Sequence, residues 1–211
     1  YRTTGADVQP DGTYHLFRQP FAQFLKGELD AAYNYRFNEA SSIVYRFFAG
    51  IGWPYGNSEV MPFEEQYFGG GANDLRAWMV RTLGPGSYIL PDSSFINQTA
   101  DMKLEANVEY RFKLFWILEG AAFIDAGNIW TVRDDKNRPG SRFRVRSFMD
   151  DIAIGTGLGL RFDLKFVLLR ADIGLKVRDP QETENSKWIP FSRSFDRKRD
   201  MTLVVGIGYP F

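Results

Sequence analysis

The feature of this sequence that most limits its fold is a period-two alternation of apolar and polar residues. Within Met102–Phe112 every even position is apolar, while Lys103, Glu105 and Glu109 fall on odd positions. Such alternation places successive side chains on opposite faces of a β-strand. The pattern occurs in seven segments: Phe21–Phe37, Ile43–Trp53, Met102–Phe112, Trp116–Trp130, Ile152–Phe162, Val167–Val177 and Met201–Phe211. The sequence therefore predicts an all-β, antiparallel fold.

The connections between these segments alternate between short and long. The short ones span residues 37–41, 111–114 and 162–166, and the long, polar ones span 54–98, 131–149 and 178–199. Short periplasmic turns and long extracellular loops are typical of transmembrane β-barrels, although a soluble antiparallel sandwich would also show alternating strands. Seven strands leave edges that lipid does not tolerate, so residues 1–211 are predicted to be the C-terminal part of a larger barrel.

Composition narrows the possible classes of function. The 26 Lys and Arg residues are balanced by 26 Asp and Glu residues, which argues against a nucleic-acid partner. The absence of cysteine excludes disulfides and thiolate metal sites within these residues. Aromatic residues make up 16% of the chain, and those near strand ends, such as Tyr33, Trp53 and Tyr110, fit the aromatic girdles of a membrane barrel.

Three stretches carry a more specific signal, and the terminal Tyr209-Pro210-Phe211 follows them. They are FEEQYFGGGANDLRAWMVRTLGPGSY at 63–88, LEANVEYRF at 104–112 and FIDAGNIW at 123–130. In this order they resemble the long-loop and strand motifs of the BamA/TamA superfamily of outer-membrane assembly proteins, and RTLGPGSY resembles its TamA-like lipoprotein branch. One position departs from the family pattern: Ala77 replaces the glycine after the arginine, and a positive φ there would be strained.

The resemblance implies a position for the glycine-rich loop. Loop 54–98 is expected to fold into the lumen of a roughly sixteen-stranded barrel, where Arg76 contacts Asp125 or Glu109. Alternation independently places both carboxylates on the lumen-facing sides of their strands, and a guanidinium suits bidentate carboxylate contact. The accompanying motif residues are Gly69, Gly70, Gly71, Leu75, Ala77 and Trp78 in the loop, and Phe123 and Gly127 in the strand. The glycines are expected to let the loop backbone pass close to the inner wall.

The resemblance also implies a location and partners. It implies a bacterial outer-membrane protein that assembles, inserts or translocates other proteins, with upstream strands and periplasmic domains outside this chain. The expected partners are outer-membrane client proteins, the lipid bilayer and periplasmic or lipoprotein accessory subunits, and no nucleic acid. No enzymatic activity, cofactor or metal is expected.

The last segment, 201–211, is predicted to form a weak lateral seam to which client strands pair. Gly206 and Gly208 lower strand stability, and Pro210 cannot donate a ladder hydrogen bond before the terminal aromatic Phe211. An exposed edge of this kind invites pairing with another strand. The alternative is that the small residues only make room in the lumen.

Other functions remain as alternatives. A two-partner-type secretion pore would share the Arg76 motif, whereas a passive porin would explain the barrel without the motif. A barrel hydrolase would need His15, the only histidine, or the carboxylates of Glu119 and Asp125, but a loop histidine and lumen charges are simpler interpretations. The run 134–137 lacks the glycine and the glutamate spacing of a calcium loop.

Overall fold

Ten β-strands account for most of the regular structure in the part of the chain that the structure describes. The computed structural model describes residues 6–8, 12–16, 19–91 and 97–211; residues 92–96 of the predicted loop 54–98, with 1–5, 9–11 and 17–18, lie outside the described residues. The strands are β1 (Ala6–Val8), β2 (Tyr14–Leu16), β3 (Gln19–Pro20), β4 (Phe24–Asn38), β5 (Ser41–Pro54), β6 (Met102–Phe115), β7 (Leu118–Trp130), β8 (Ala153–Asp163), β9 (Leu168–Arg178) and β10 (Met201–Ile207).

The strands β4 to β10 form one antiparallel sheet in which each strand pairs with its neighbours in sequence. This arrangement confirms the predicted all-β, antiparallel fold and its seven long strands. The sheet is open: among the described residues, β4 and β10 each have one neighbouring strand. In the β6–β7 ladder Asn107 lies opposite Asp125, and Glu109 lies opposite Phe123.

The two faces of this sheet have opposite chemical character. Ile124 on β7 and Leu158 on β8 are exposed and belong to an apolar outer face. Glu109 on β6, Asp125 on β7 and Arg161 on β8 are fully buried on the other face, called here the inner face. The faces follow the sequence alternation because successive side chains of a strand point in opposite directions. Among the described residues, no helix is both long enough and apolar enough to cross a membrane.

Short turns and long connections alternate along the sheet, as predicted. Tight turns join β4 to β5, β6 to β7 and β8 to β9, and Trp116 and Lys165 adopt positive φ in two of them. The helices in the described residues of the long connections are all short. They are the 3-10 turns Phe63–Glu65, Phe148–Asp151 and Glu184–Ser186 and the α-helices α1 (Ile189–Ser192) and α2 (Arg197–Asp200). The three long connections therefore emerge at one end of the sheet and the three tight turns at the other.

A small sheet precedes the large one and was not expected from the sequence. The strands β1, β2 and β3 form it, and their length of two or three residues gives no periodic signal. Asn57, after β5, fixes this region by donating from Nδ2 to Phe21 O at 3.1 Å and accepting from the Tyr14 N–H at 2.7 Å. The small sheet therefore lies beside the long-loop end of the large sheet.

Candidate functional site

Arg76 is fully buried on the inner face, where it contacts two carboxylates from neighbouring strands. Its Nε and Nη2 donate to Asp125 Oδ2 at 2.9 Å and Oδ1 at 2.8 Å, which is a bidentate contact. Its backbone N–H donates to Asp125 Oδ2 at 3.1 Å, and its Nη1 donates to Glu109. The guanidinium carbon lies 3.5 Å from the centre of the Phe123 ring, within cation–π range. The structure thus brings together four of the residues that the sequence predicted as a site.

The two carboxylates differ in their other contacts. Glu109 also accepts hydrogen bonds from Arg111 Nε at 2.7 Å and from Arg161 Nη2 at 3.0 Å. Among the described side chains, Asp125 has one further donor, Asn107 Nδ2 at 3.0 Å, and no second cation. Asp125 therefore depends on the loop arginine for its positive partner, whereas Glu109 contacts two other arginines.

The loop tip, residues 69–83, is a compact turn that carries this arginine. The Gly71 N–H donates to Trp78 O at 2.9 Å, which joins the two halves of the turn. Gly70 has a φ of +87°, and a Cβ at this position would lie 2.3 Å from Met79 O. The glycines therefore permit a close approach within the loop itself, so the expectation that they let the loop pass along the wall is wrong.

Room for the loop tip comes instead from two glycines of the wall, Gly155 on β8 and Gly174 on β9. A Cβ at Gly155 would lie 2.7 Å from Ala77 Cβ, and one at Gly174 would lie 2.5 Å from Arg76 O. Backbone atoms cannot move out of the way as a flexible side chain can, so Gly174 in particular requires the absence of a side chain. These two wall glycines fell on the predicted inner face, but nothing in the sequence paired them with the loop.

Apolar residues complete the attachment of the loop tip. A buried cluster consists of Leu75, Ala77, Trp78, Leu83 and Ala153. Ala77 is not among the described residues with positive φ, so alanine causes no backbone strain there. Its carbonyl oxygen accepts a hydrogen bond from Thr202 Oγ1 at 2.9 Å, which connects the loop tip directly to β10.

A charged network that no sequence motif indicates lies beneath the first half of the loop tip. Arg161 contacts Asp172, and Arg170 Nη1 lies 3.1 Å from Asp172 Oδ2. Arg170 also donates to Ala72 O at 2.7 Å and to the Asn73 side chain. The available signal was the alternation, which places both arginines and the aspartate on the inner face; their contacts depend on the register that sets Arg161 opposite Arg170.

A second ionic contact is made by Asp74 of the loop tip. Lys103 contacts Asp74, and its Nζ lies 3.0 Å from Glu105 Oε2. Burial raises the pKa of Asp74 to about 7, the charge of Glu105 raises it as well, and Lys103 opposes the shift. This carboxyl group therefore changes its charge near neutral pH.

The terminal segment differs from the strand predicted over 201–211. The strand β10 ends at Ile207, so the prediction that it reaches the last residue is wrong. Gly208 turns the chain with a φ of +83°, and Pro210 has no N–H with which to continue the ladder.

Beyond this turn, the terminal aromatic residues contact the inner face. The Phe211 carbonyl oxygen accepts from Arg111 Nη2 at 3.4 Å, and its ring centre lies 5.7 Å from the guanidinium carbon of Arg76. Tyr209 Oη donates to Glu119 Oε2 at 3.0 Å. The segment that was expected to extend the edge therefore lies within contact distance of the candidate site.

Two further motif glycines allow close packing of the wall. A Cβ at Gly206 would lie 2.8 Å from Arg170 Nε, so this glycine makes room for a guanidinium on the inner face. This geometry fits the alternative role of the small residues of β10, which is to make room in the lumen. A Cβ at Gly127 would lie 2.4 Å from Leu104 O across the β6–β7 ladder.

The residues considered for catalysis or metal binding have other partners. His15 Nε2 lies 3.2 Å from Thr13 Oγ1 in the small sheet. Glu119 and Asp125 are six residues apart on β7, a spacing of about 20 Å, and so do not form a carboxylate pair. In the run 134–137, the two aspartates form salt bridges with arginines of the same loop. No group of three His, Cys, Asp or Glu residues suited to a metal ion occurs among the described residues.

An antiparallel sheet with an apolar outer face, a charged inner face and a loop docked on that inner face defines part of an outer-membrane β-barrel. A comparison with protein families assigns this barrel to a superfamily. Residues 11–196 match the Omp85 superfamily domain, and the chain belongs to this superfamily. A sequence comparison with curated proteins gives no match.

Two solved structures share the fold of this chain. The crystal structure of BamA from Haemophilus ducreyi lacking POTRA domains 1-3 aligns with a TM-score of 0.60 at 15% identity and covers 88% of this chain. CdiB from Acinetobacter baumannii aligns with a TM-score of 0.50 at 15% identity over the same share. The chain spans 35% of the first structure and 27% of the second. The two structures show the shared barrel fold, and the match over residues 11–196 confirms the predicted resemblance to the BamA/TamA superfamily.

Proposed function

We propose that this chain is part of the barrel of an outer-membrane factor that inserts or assembles other outer-membrane proteins. The observation that best supports this role is the burial of Arg76 between Asp125 and Glu109, because these contacts fix the long loop against the inner face. A loop fixed in this way occupies the lumen and leaves the strand edge as the place where a client acts. Arg76 is thus the anchor of the loop, and the wall carboxylates of Asp125 and Glu109 are its ion-pair partners.

The edge proposed for client pairing is that of β10. This strand pairs with β9 only over Met201–Ile207, and the chain then turns toward the inner face. Upstream strands complete a barrel of roughly sixteen strands, and periplasmic domains precede it. Because β10 has only seven residues, its pairing with the strand that closes the barrel is also short and easy to separate, so this seam admits a client strand.

The proposed partners are outer-membrane client proteins, the bilayer and periplasmic or lipoprotein accessory subunits. The activity requires no nucleotide, metal or catalytic residue, because a client strand that pairs with β10 satisfies its backbone hydrogen bonds in lipid. The bilayer contacts the apolar outer face, to which Ile124 and Leu158 contribute.

A disulfide across the seam tests this proposal in the full-length protein. One cysteine replaces Val204 on β10 and the other lies in the strand that closes the barrel; these 211 residues contain no cysteine that would interfere. The matched control joins β10 to β9 through Leu203→Cys and Ile173→Cys, which lie opposite each other in the ladder. We expect the seam disulfide to stop client assembly until a reductant is added and the control disulfide to have no effect.

The same experiment separates this role from that of a two-partner-type secretion pore. A pore exports its partner along the barrel axis, so a locked seam would leave export intact. Normal client assembly with the seam locked would contradict the proposed function. Export of a dedicated partner by the locked protein would favour the secretion pore.

A further inference from the structure

Two aromatic residues of the connection between β7 and β8, Phe143 and Phe148, cover the end of β7. Trp130 at the end of β7 occupies an even position, like Ile124 of the outer face, so its side chain projects from that face. The Phe143 ring packs edge-on against Trp130 with centroids 5.5 Å apart, and Phe148 lies 5.6 Å from Phe143. The neighbouring residues of the connection therefore lie at the rim of the apolar outer face.

The basic outer segment, residues 142–149 with the sequence RFRVRSFM, exposes both apolar and cationic side chains there. Val145 is 76% exposed and Met149 is 66% exposed. Arg144 and Arg146 take part in none of the salt bridges among the described residues. Exposed apolar side chains can enter the acyl boundary of a membrane, and neighbouring cations attract anionic headgroups, so this combination suits a membrane interface.

A cavity of about 340 Å³ adjoins this segment. Lys136, Arg144, Ser87 and Ser147 line it with cations and hydroxyl groups. Its three acidic residues already have partners.

Asp134 pairs with Arg142, Asp135 pairs with Arg138, and Asp151 accepts from Trp130 Nε1 at 3.2 Å. Among the described residues, Lys136 and Arg144 have no carboxylate in a salt bridge. The four cations of the lining outnumber its three carboxylates, of which Asp151 is bonded to a neutral donor. This excess favours an anionic group, and the volume is sufficient for a phosphorylated sugar.

We propose that this segment and the adjoining cavity bind the phosphorylated headgroup of an outer-leaflet glycolipid. Lys136 and Arg144 contact the phosphate, Arg146 contacts the neighbouring headgroup surface, and Val145 and Met149 enter the acyl region. The inference rests on the proposed function in one respect, because that function places this end of the strands at the outer leaflet. It assigns the long β7–β8 connection a role that the loop anchor does not need.

The test measures binding of diphosphorylated lipid A to the full-length protein in mixed zwitterionic micelles. The same measurement is made with dephosphorylated lipid A and with inorganic phosphate. Arg144→Gln with Arg146→Gln removes two cations, and the control Arg197→Gln with Lys198→Gln makes the same charge change in another long connection. A third variant, Val145→Ser with Met149→Ser, removes the apolar contribution. Retention of the folded barrel is checked by heat-dependent mobility in gel electrophoresis.

We expect the arginine variant to bind lipid A roughly thirtyfold more weakly, since each cation near an anionic surface contributes about a fivefold factor. The control variant should bind as the unmodified protein does, and dephosphorylated lipid A and inorganic phosphate should both bind weakly. The inference would be overturned if the arginine variant bound lipid A as tightly as the unmodified protein does, or if the control variant lost as much affinity as the arginine variant. Tight binding of dephosphorylated lipid A would overturn it as well. Lipid binding that persists while the seam experiment fails would remove the proposed function and leave this site intact.

Discussion

Removal of the Arg76 side chain should affect its two carboxylate partners unequally. In Arg76→Ala, Asp125 loses its bidentate contact and its only cation among the described residues, whereas Glu109 still contacts Arg111 and Arg161. Breaking a buried ion pair by deleting one partner costs about 3–5 kcal/mol, mainly because the other charge is left without compensation. We therefore expect most of this loss to come from Asp125.

A second substitution makes this inequality measurable. In the Arg76→Ala background, Asp125→Asn removes the uncompensated charge and should recover about 2 kcal/mol or more. Glu109→Gln should recover nothing, because it leaves two arginines without their shared carboxylate. Arg76→Lys should recover only part of the loss, because an ammonium cannot reproduce the planar fork.

The assay combines a global and a local measurement on the full-length protein in lipid vesicles. Urea unfolding followed by tryptophan fluorescence gives the free energy of unfolding, and hydrogen exchange of residues 69–83 reports whether the loop tip detaches without unfolding of the wall. Arg199→Ala is the control, because its salt bridge with Glu182 is exposed and should contribute no more than about 1 kcal/mol. Equal recovery by Asp125→Asn and Glu109→Gln would refute the reasoning.

Three further predictions concern the loop tip and the orientation of the chain in the membrane. Gly174→Ala should detach the loop tip and increase its hydrogen exchange, whereas Gly27→Ala, whose added Cβ meets nothing within 4 Å, should not; equal effects would exclude a steric role. The pKa of Asp74 is raised to about 7 in the folded protein, so this carboxyl group stabilises the docked loop tip in its protonated form. Its contribution to stability is complete below the unfolded pKa near 4 and is lost as pH rises through 7, so hydrogen exchange of the loop tip should increase over this range. Asp74→Asn should flatten this pH dependence of loop-tip exchange, and parallel curves would contradict it. Trypsin added to intact cells should cleave at Arg144 or Arg146; cleavage only at Lys113 would reverse the orientation.

The sequence predicts the faces of the strands better than the contacts between them. Alternation is a property of each strand alone, so it places Glu109 and Asp125 on the inner face without knowledge of their neighbours. The contact between Arg161 and Asp172 depends on register, which the turns and the whole sheet determine together. The strand end at Ile207 depends on the backbone conformation of Gly208, which a glycine permits but does not require.

The role of the buried charges is better understood as specificity than as net stability. Buried ion pairs lose hydration on folding, so their net contribution is often near zero. Their partners, however, come from different strands, and a slip of one residue in any ladder would turn a charged side chain to the apolar outer face. The loop tip fits only the native register, because it contacts four strands at once. These contacts are with Glu109 on β6, Asp125 on β7, Gly174 on β9 and Thr202 on β10. Because the Thr202 hydrogen bond joins the loop to the proposed seam strand, we expect movement of β10 during the proposed lateral opening to be coupled to detachment of the loop tip.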